Sequence, residues 1–248
     1  MINNFSITNI YEKKLSTSKL SSQMLYGEKF TIISKGKKWL KIRTNFDRYT
    51  GYIKNKNFLT FLKITNKVSK LKTEIFKNLN NKFVPTKKFL YFGSRISVQN
   101  KKKNYVQFEE NKWIRKTHIE KVNHQKKDIS KIIKLFLNTK YLWGGKTSLG
   151  IDCSALIQIY FHYNGIFFHR DTKDQISFLK KIPKNKSFEK NNLIFWKGHV
   201  AFCLDKNNLI HAYGPKKKVI IMKISETIEE IKSKSNLSVR GTRKINVK

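Results

Sequence analysis

The segment Tyr141–Gly165, YLWGGKTSLGIDCSALIQIYFHYNG, constrains the fold most, because it sets one cysteine at the start of an amphipathic helix. Gly144, Gly145 and Gly150 punctuate the run before that cysteine, where the backbone must turn tightly or pack closely. Beyond it, Leu156, Ile159, Tyr160 and Tyr163 recur at the three-and-four spacing that gives a helix one apolar face. Gly165 stands where a left-handed cap would end that helix. Cys153 therefore falls in the first turn. Unpaired N–H groups and partial positive charge at a helix N-terminus favour thiolate over thiol, so an activated sulfur is expected there. A buried structural cysteine would fit the same segment, and a second element is needed to decide between them.

That element is Asn191–Tyr213, NNLIFWKGHVAFCLDKNNLIHAY. It reads as two β runs, 199–204 and 209–213, joined by the polar turn Asp205–Asn208. His199 opens the first run and His211 lies in the second. An odd number of loop residues would put both imidazoles on one face of the sheet. A thiol beside one histidine, itself oriented by a second polar side chain, is the nucleophile, base and orienter set of cysteine peptidases. Cys153 is expected to attack a carbonyl carbon and His199 to take its proton and return it to the leaving amine. His211 is expected to fix the His199 ring.

The blocks YLWGG, GIDCSAL, LIFWKGHVAFCL and LIHAY together resemble the catalytic domain of the NlpC/P60 peptidases, papain-like cysteine enzymes, over about 123–248. The resemblance puts that family's catalytic cysteine, base histidine and third polar residue on Cys153, His199 and His211. Two positions depart from the family pattern. Ala155 stands where a glycine is usual, and Asn191-Asn192 where Gly-Asp is usual, which bears on local turns rather than on the reacting groups. Family members with two SH3-like modules act on wall-derived peptides with a free N-terminal L-alanine. The resemblance implies that Tyr141, Asp152, Ser154 and Thr172, the last in HRDTKDQ, hold the substrate amine here. It also implies that Glu28 in YGE and Tyr49 in DRYTGYI close the far end of the cleft from the first module. Other roles fit the same residues: Asp152 as a helix cap, Tyr141 as a core aromatic, Glu28 as a turn residue.

The rest of the chain fits that plan. In 1–63, KFTIIS, WLKIRT and TGYIKNKNFL alternate apolar and polar residues between polar breaks, which predicts a small β-barrel. In 64–122, EIFKNL, RISVQN, NYVQFEE and NKWIRKTHIEKV repeat the theme, with Lys112-Trp113-Ile114 in the place of Gly51-Tyr52-Ile53. These segments resemble a pair of bacterial SH3-like modules ahead of a catalytic segment at 123–248. In that last segment, 128–139 predicts a helix with Asp128 near its start, Val219–Ile224 a strand, Ser225–Lys232 a short helix and Leu237–Ile245 a closing strand. Helices and strands segregated in this way predict an α+β fold.

Composition narrows the partners. The formal net charge is +37, which raises nucleic acid or an anionic surface as a partner. Only seven of the 53 basic residues are arginine, and the lysines are spread along the whole chain. That scatter reads as a lysine and asparagine bias rather than a phosphate-reading face, so no specific nucleic acid is expected. Two cysteines in unlike settings suit a reducing compartment, with Cys203 as core. No CxxC or HExxH motif occurs, so neither metal nor cofactor is expected. No apolar run approaches a membrane span, and Met1–Ile10 lacks the pattern of a secretory signal, so a cytoplasmic monomer is expected. The resemblance implies hydrolysis of the γ-D-glutamyl to diamino acid bond of murein peptides, in recycling of wall peptides, as the expected function. The alternatives are a hydrolase of intact murein and a non-catalytic module binding wall polymer or polyanion.

Overall fold

The structure is a computed structural model describing residues 1–183 and 188–245, so residues 184–187 and 246–248 of the expected catalytic segment lie outside the described residues. Its contacts divide the chain into two units, Met1–Gln125 with Tyr163–Gly165, and Lys126–His162 with Ile166–Lys248.

The first unit is built from antiparallel strands. Leu20–Leu25, Ile7–Tyr11, Thr50–Lys54, Trp39–Thr44 and Phe30–Lys35 lie side by side in that order, and Ile10, Met24, Phe30, Leu40, Ile42 and Ile53 fill their core. A further sheet orders Asn100–Lys102, Tyr105–Glu109, Lys112–Arg115, Lys72–Leu79 and Lys82–Tyr91. A three-stranded ribbon of Ile119–Lys121, Asn66–Val68 and Arg95–Ile96 accompanies it, around Val68, Ile75, Leu90, Ile96, Val106, Phe108 and Ile114. Ile53 and Ile114, at corresponding places in the weak repeat, are both fully buried. The ten-residue strand Lys82–Tyr91 has no counterpart in the sequence reading. Pro85 and the lysines break its pattern, and the strand lies at the edge of its sheet, where proline is tolerated.

The second unit has a six-stranded antiparallel sheet in the order Lys180–Ile182, Gly241–Lys244, Asn192–Trp196, His199–Cys203, Asn208–Tyr213, Lys218–Lys223. Four α-helices occur among the described residues: α1 Ile129–Leu135, α2 Cys153–Asn164, α3 Thr172–Phe178 and α4 Ile224–Ser235. Their segregation from the sheet makes the fold α+β. Asp128 caps α1 by accepting from the Lys131 N–H at 3.3 Å, but the helix stops at Leu135 rather than running to Thr139. Asn138, at φ 65°, takes a left-handed conformation that a helix cannot continue through. Helix α4 is longer than expected, starting at Ile224 and ending where Asn236 turns left-handed at φ 51°. The closing strand is shorter than expected, and α3 and the Lys180–Ile182 strand were unforeseen because their segment carries no clean period. No helix among the described residues is long and apolar enough to cross a membrane.

Candidate active site

Helix α2 begins on Cys153, and the residue before it is the cap. The Asp152 carboxylate accepts from the Ala155 N–H at 2.8 Å, two residues into the helix from the cysteine, while its carbonyl accepts from the Leu156 N–H at 3.0 Å. The preceding glycines are required by geometry. Gly144 sits at φ 74° and donates its N–H to Asp152 Oδ2 at 2.9 Å. A Cβ on Gly145 would come within 2.4 Å of the Gly150 carbonyl oxygen. The loop thus folds onto Asp152, and Asp152 fixes where α2 starts.

Opposite the cysteine, His199 opens its strand directly after the Lys197-Gly198 turn and pairs with Trp196. Cys203 pairs with Leu209, so residues 204–208 form the odd-numbered connection that brings His199 and His211 to one face. Asp205 holds that turn by accepting from the N–H groups of Asn207 at 2.8 Å and Asn208 at 2.7 Å. The result is a 2.9 Å contact between His199 Nε2 and His211 Nδ1. His211 is fully buried, and the Tyr213 ring stacks on it at 4.6 Å. The Cys153 thiol lies against the main chain on both sides of His199, with Sγ 3.9 Å from the Gly198 carbonyl oxygen and the Val200 N–H directed at the sulfur.

Burial sets the protonation of this group. It pushes the Cys153 thiol up to about 12, with the Asp152 charge adding to it and the Val200 N–H, Arg170 and Ser154 N–H opposing. It pushes His199 down to about 4 and, with His199 itself, holds His211 well below the ordinary imidazole value. The helix N-terminus does not win. Burial works against the thiolate that the helix end was expected to favour, because removal from water penalises the charged form of both thiol and imidazole.

A stability prediction follows from the two histidines. Their folded values lie below the unfolded value of about 6.5, so the unfolded chain binds more protons as the medium acidifies. Stability is full above about pH 6.5 and is expected to fall as pH drops toward 4. Thermal melts across that window should show the loss in wild type and a smaller loss in a His199→Gln, His211→Gln double variant. Equal losses in both proteins would assign the acid sensitivity to other groups.

Around the cysteine a polar cluster forms that the sequence reading only half anticipated. Arg170 reaches Asp152 through Nη1 to Oδ1 at 3.0 Å and Nη2 to Oδ2 at 2.6 Å, and reaches Ser154 Oγ at 2.8 Å. Ser154 in turn donates to Asp152 Oδ1 at 3.2 Å. Arg170 and Asp152 are both buried. Five donors meet one carboxylate, which fills its acceptor positions. A substrate amine could bond Asp152 directly only by displacing one of them. Arg170 escaped the sequence reading, although a buried acid beside Cys153 implies a counter-ion.

The other candidates are placed as follows. Tyr141 is held in extended backbone between Ile151 and Lys217, and its phenol is raised by burial and by the charges of Cys153 and Asp152 nearby. Thr172 opens α3, one turn from Gln175, whose amide donates to the Ser154 carbonyl at 3.0 Å. Glu28 and Tyr49 belong to the first unit. Glu28 is buried, accepts from the Leu25 N–H at 2.9 Å and faces the field of Arg95. Tyr49 packs half-buried against the first barrel core, its N–H donating to Thr44 Oγ1 at 2.9 Å. Cys203 is core, and no cluster able to hold a metal ion occurs among the described residues.

Comparison with known proteins agrees with this architecture. Residues 138–236 match the NlpC/P60 family, and residues 11–58 match the bacterial dipeptidyl-peptidase Sh3 domain. The chain is 26% identical to a dipeptidyl-peptidase 6 of Lysinibacillus sphaericus, over 83% of its own length and 84% of that protein's. It is 24% identical to a gamma-D-glutamyl-L-lysine dipeptidyl-peptidase of Bacillus subtilis, over 85% of this chain and 78% of that one. Among solved structures, an NlpC/P60 family protein from Bacillus cereus superposes with a TM-score of 0.79 at 18% identity, covering 98% of each chain. The fold is thus an NlpC/P60 catalytic domain preceded by SH3-like β structure.

Proposed function

We propose that this chain, an NlpC/P60 cysteine peptidase carrying SH3-like modules ahead of its catalytic domain, hydrolyses the γ-D-glutamyl to diamino acid bond of murein peptides whose N-terminal L-alanine is free. Residues 1–63 and 64–122 are read as the two modules and 123–248 as the catalytic domain. The observation that carries the reading is the contact of 2.9 Å between His199 Nε2 and His211 Nδ1, with the Cys153 thiol against the main chain flanking His199. The names of the near-full-length relatives supply the substrate class.

Cys153 Sγ attacks the γ-glutamyl carbonyl carbon while His199 accepts the thiol proton. The oxyanion forms next to the N-terminus of α2, where the Cys153 N–H is the candidate donor. Collapse of the tetrahedral intermediate expels the amine of the diamino acid, which takes its proton from His199, and leaves a thioester. Water then attacks, His199 accepting its proton, and the acid product and thiol are restored. The amine of the substrate is assigned to the Tyr141, Ser154 and Thr172 region, with Asp152 shaping the field there through its pair with Arg170. Glu28 and Tyr49, both in the first unit, keep the substrate-binding role that the family resemblance implies. Action on small released peptides assigns the enzyme to recycling of wall material.

Mass spectrometry of L-Ala-γ-D-Glu-diamino acid and its N-acetylated twin tests this. Release of the dipeptide L-Ala-γ-D-Glu from the free-amine form alone is expected. Equal cleavage of both would remove the amine subsite, and activity only on intact sacculi would replace recycling by wall hydrolysis. Cleavage of none would leave a binding role for the modules.

A further inference from the structure

We propose that Met222 is a positioning residue that selects the imidazole tautomers of the histidine pair through its thioether sulfur. Its Sδ lies 3.4 Å from His211 Nε2. The proposal rests on the reading that Cys153, His199 and His211 do the chemistry, and it adds a residue beyond them.

Register explains how the sulfur arrives there. His211 pairs with Ile220 and Leu209 with Met222 on the neighbouring strand, so Met222 is the diagonal neighbour of His211 on the same face. Its side chain packs half-buried beside Leu209, Tyr213 and Ile220, while the stacked Tyr213 ring covers a face of the imidazole. The edge of His211 is thereby aimed at the sulfur on one side and at His199 on the other.

A thioether has lone pairs and no proton, so it can accept a hydrogen bond, weakly, and cannot donate one. A neutral imidazole carries one N–H and one lone pair. With the sulfur at Nε2, the favourable form of His211 carries its proton on Nε2 and presents a lone pair at Nδ1. That lone pair faces His199 Nε2 at 2.9 Å, so His199 carries its own proton on Nε2. Its Nδ1, the nitrogen nearer the main chain, is left unprotonated. The thiol lies against that same main chain, at Gly198 and Val200. The opposite arrangement would set a His211 lone pair against the sulfur lone pairs and put the His199 proton on Nδ1, where a base is needed. Each ring stays neutral in its buried site, so the tautomer is the quantity left to set.

The test is ¹⁵N-histidine NMR on the full chain, reading two-bond ¹H–¹⁵N couplings, alongside kcat and KM for the tripeptide. In wild type, His199 and His211 are both expected as Nε2–H. Met222→Leu keeps an apolar side chain and removes the acceptor. It should give mixed tautomers and a fall in kcat of about ten-fold with KM within about two-fold, since a buried donor is left unmatched. Met222→Gln, which restores an acceptor oxygen, should recover both readouts. Nδ1–H on His211 in wild type would overturn the proposal, as would unchanged spectra and kcat in Met222→Leu. The wild-type spectrum decides even where a variant folds poorly. It also decides independently of the peptidase reading, which fails separately if no peptide is cut.

Discussion

Cys153→Ala is expected to lower kcat for the free-amine tripeptide by about 10⁴-fold or more, since removing the nucleophile of a triad forfeits nearly all of the covalent route. No neighbouring group can substitute. Ser154 Oγ is engaged by Arg170 at 2.8 Å and by Asp152 at 3.2 Å, and Cys203 is buried core. The fold should barely register the change. The sulfur sits at the first position of α2, where alanine is a better helix former, and the cap contacts come from Asp152 rather than from the thiol. Loss of turnover with a melting temperature within a few degrees of wild type would separate the chemical role from the structural one. A Cys153→Ala protein retaining turnover within ten-fold of wild type would end the assignment of Cys153 as nucleophile. The same variant should still bind the tripeptide, measurable by calorimetry, because the residues assigned to the amine are unchanged.

What the sequence disclosed depended on whether the determinant was local. The start of α2 at Cys153 and its end at Gly165 follow from helical spacing and a positive-φ glycine, readable over about twenty residues, whereas the expected four-residue turn 205–208 had the wrong parity, and only the pairing of Cys203 with Leu209 sets His199 beside His211. The edge strand Lys82–Tyr91 and helix α3 were illegible because neighbours decide them. An edge position tolerates Pro85, and α3 is anchored by Gln175 donating to the Ser154 carbonyl rather than by an apolar stripe. The site shows the same divide. Residue types suggested a nucleophile, base and orienter, but protonation depends on burial, which no motif states and which pushes the Cys153 thiol up rather than down. Arg170 and Met222 act at Asp152 and His211 across sequence gaps of 18 and 11 residues, through contacts that only the folded chain creates.

The second large effect lies at that hidden arginine. Arg170→Leu is expected to destabilise the protein by about 3–5 kcal/mol, because it strands the Asp152 charge in a buried site without its counter-charge. The Arg170 and Asp152 side chains are only 2% and 9% exposed, so solvent cannot take over the guanidinium's part. A fall in melting temperature of about 10 °C or more would follow. The loss should be non-additive. Asp152→Asn alone strands the arginine instead. Asp152→Asn with Arg170→Leu removes both charges, keeps an acceptor oxygen for the Gly144 or Ala155 N–H, and should recover more than half of the stability. Recovery of stability need not restore turnover. The carboxylate takes the Gly144 N–H on one oxygen and the Ala155 N–H on the other, tying the glycine loop to the first turn of α2, whereas a single amide oxygen cannot hold both ends in that way. Thermal melts and kcat across the four proteins of the cycle measure this. Additive stability losses would mean that the ion pair is not coupled, while a double variant as active as wild type would mean that Asp152 serves only to balance Arg170.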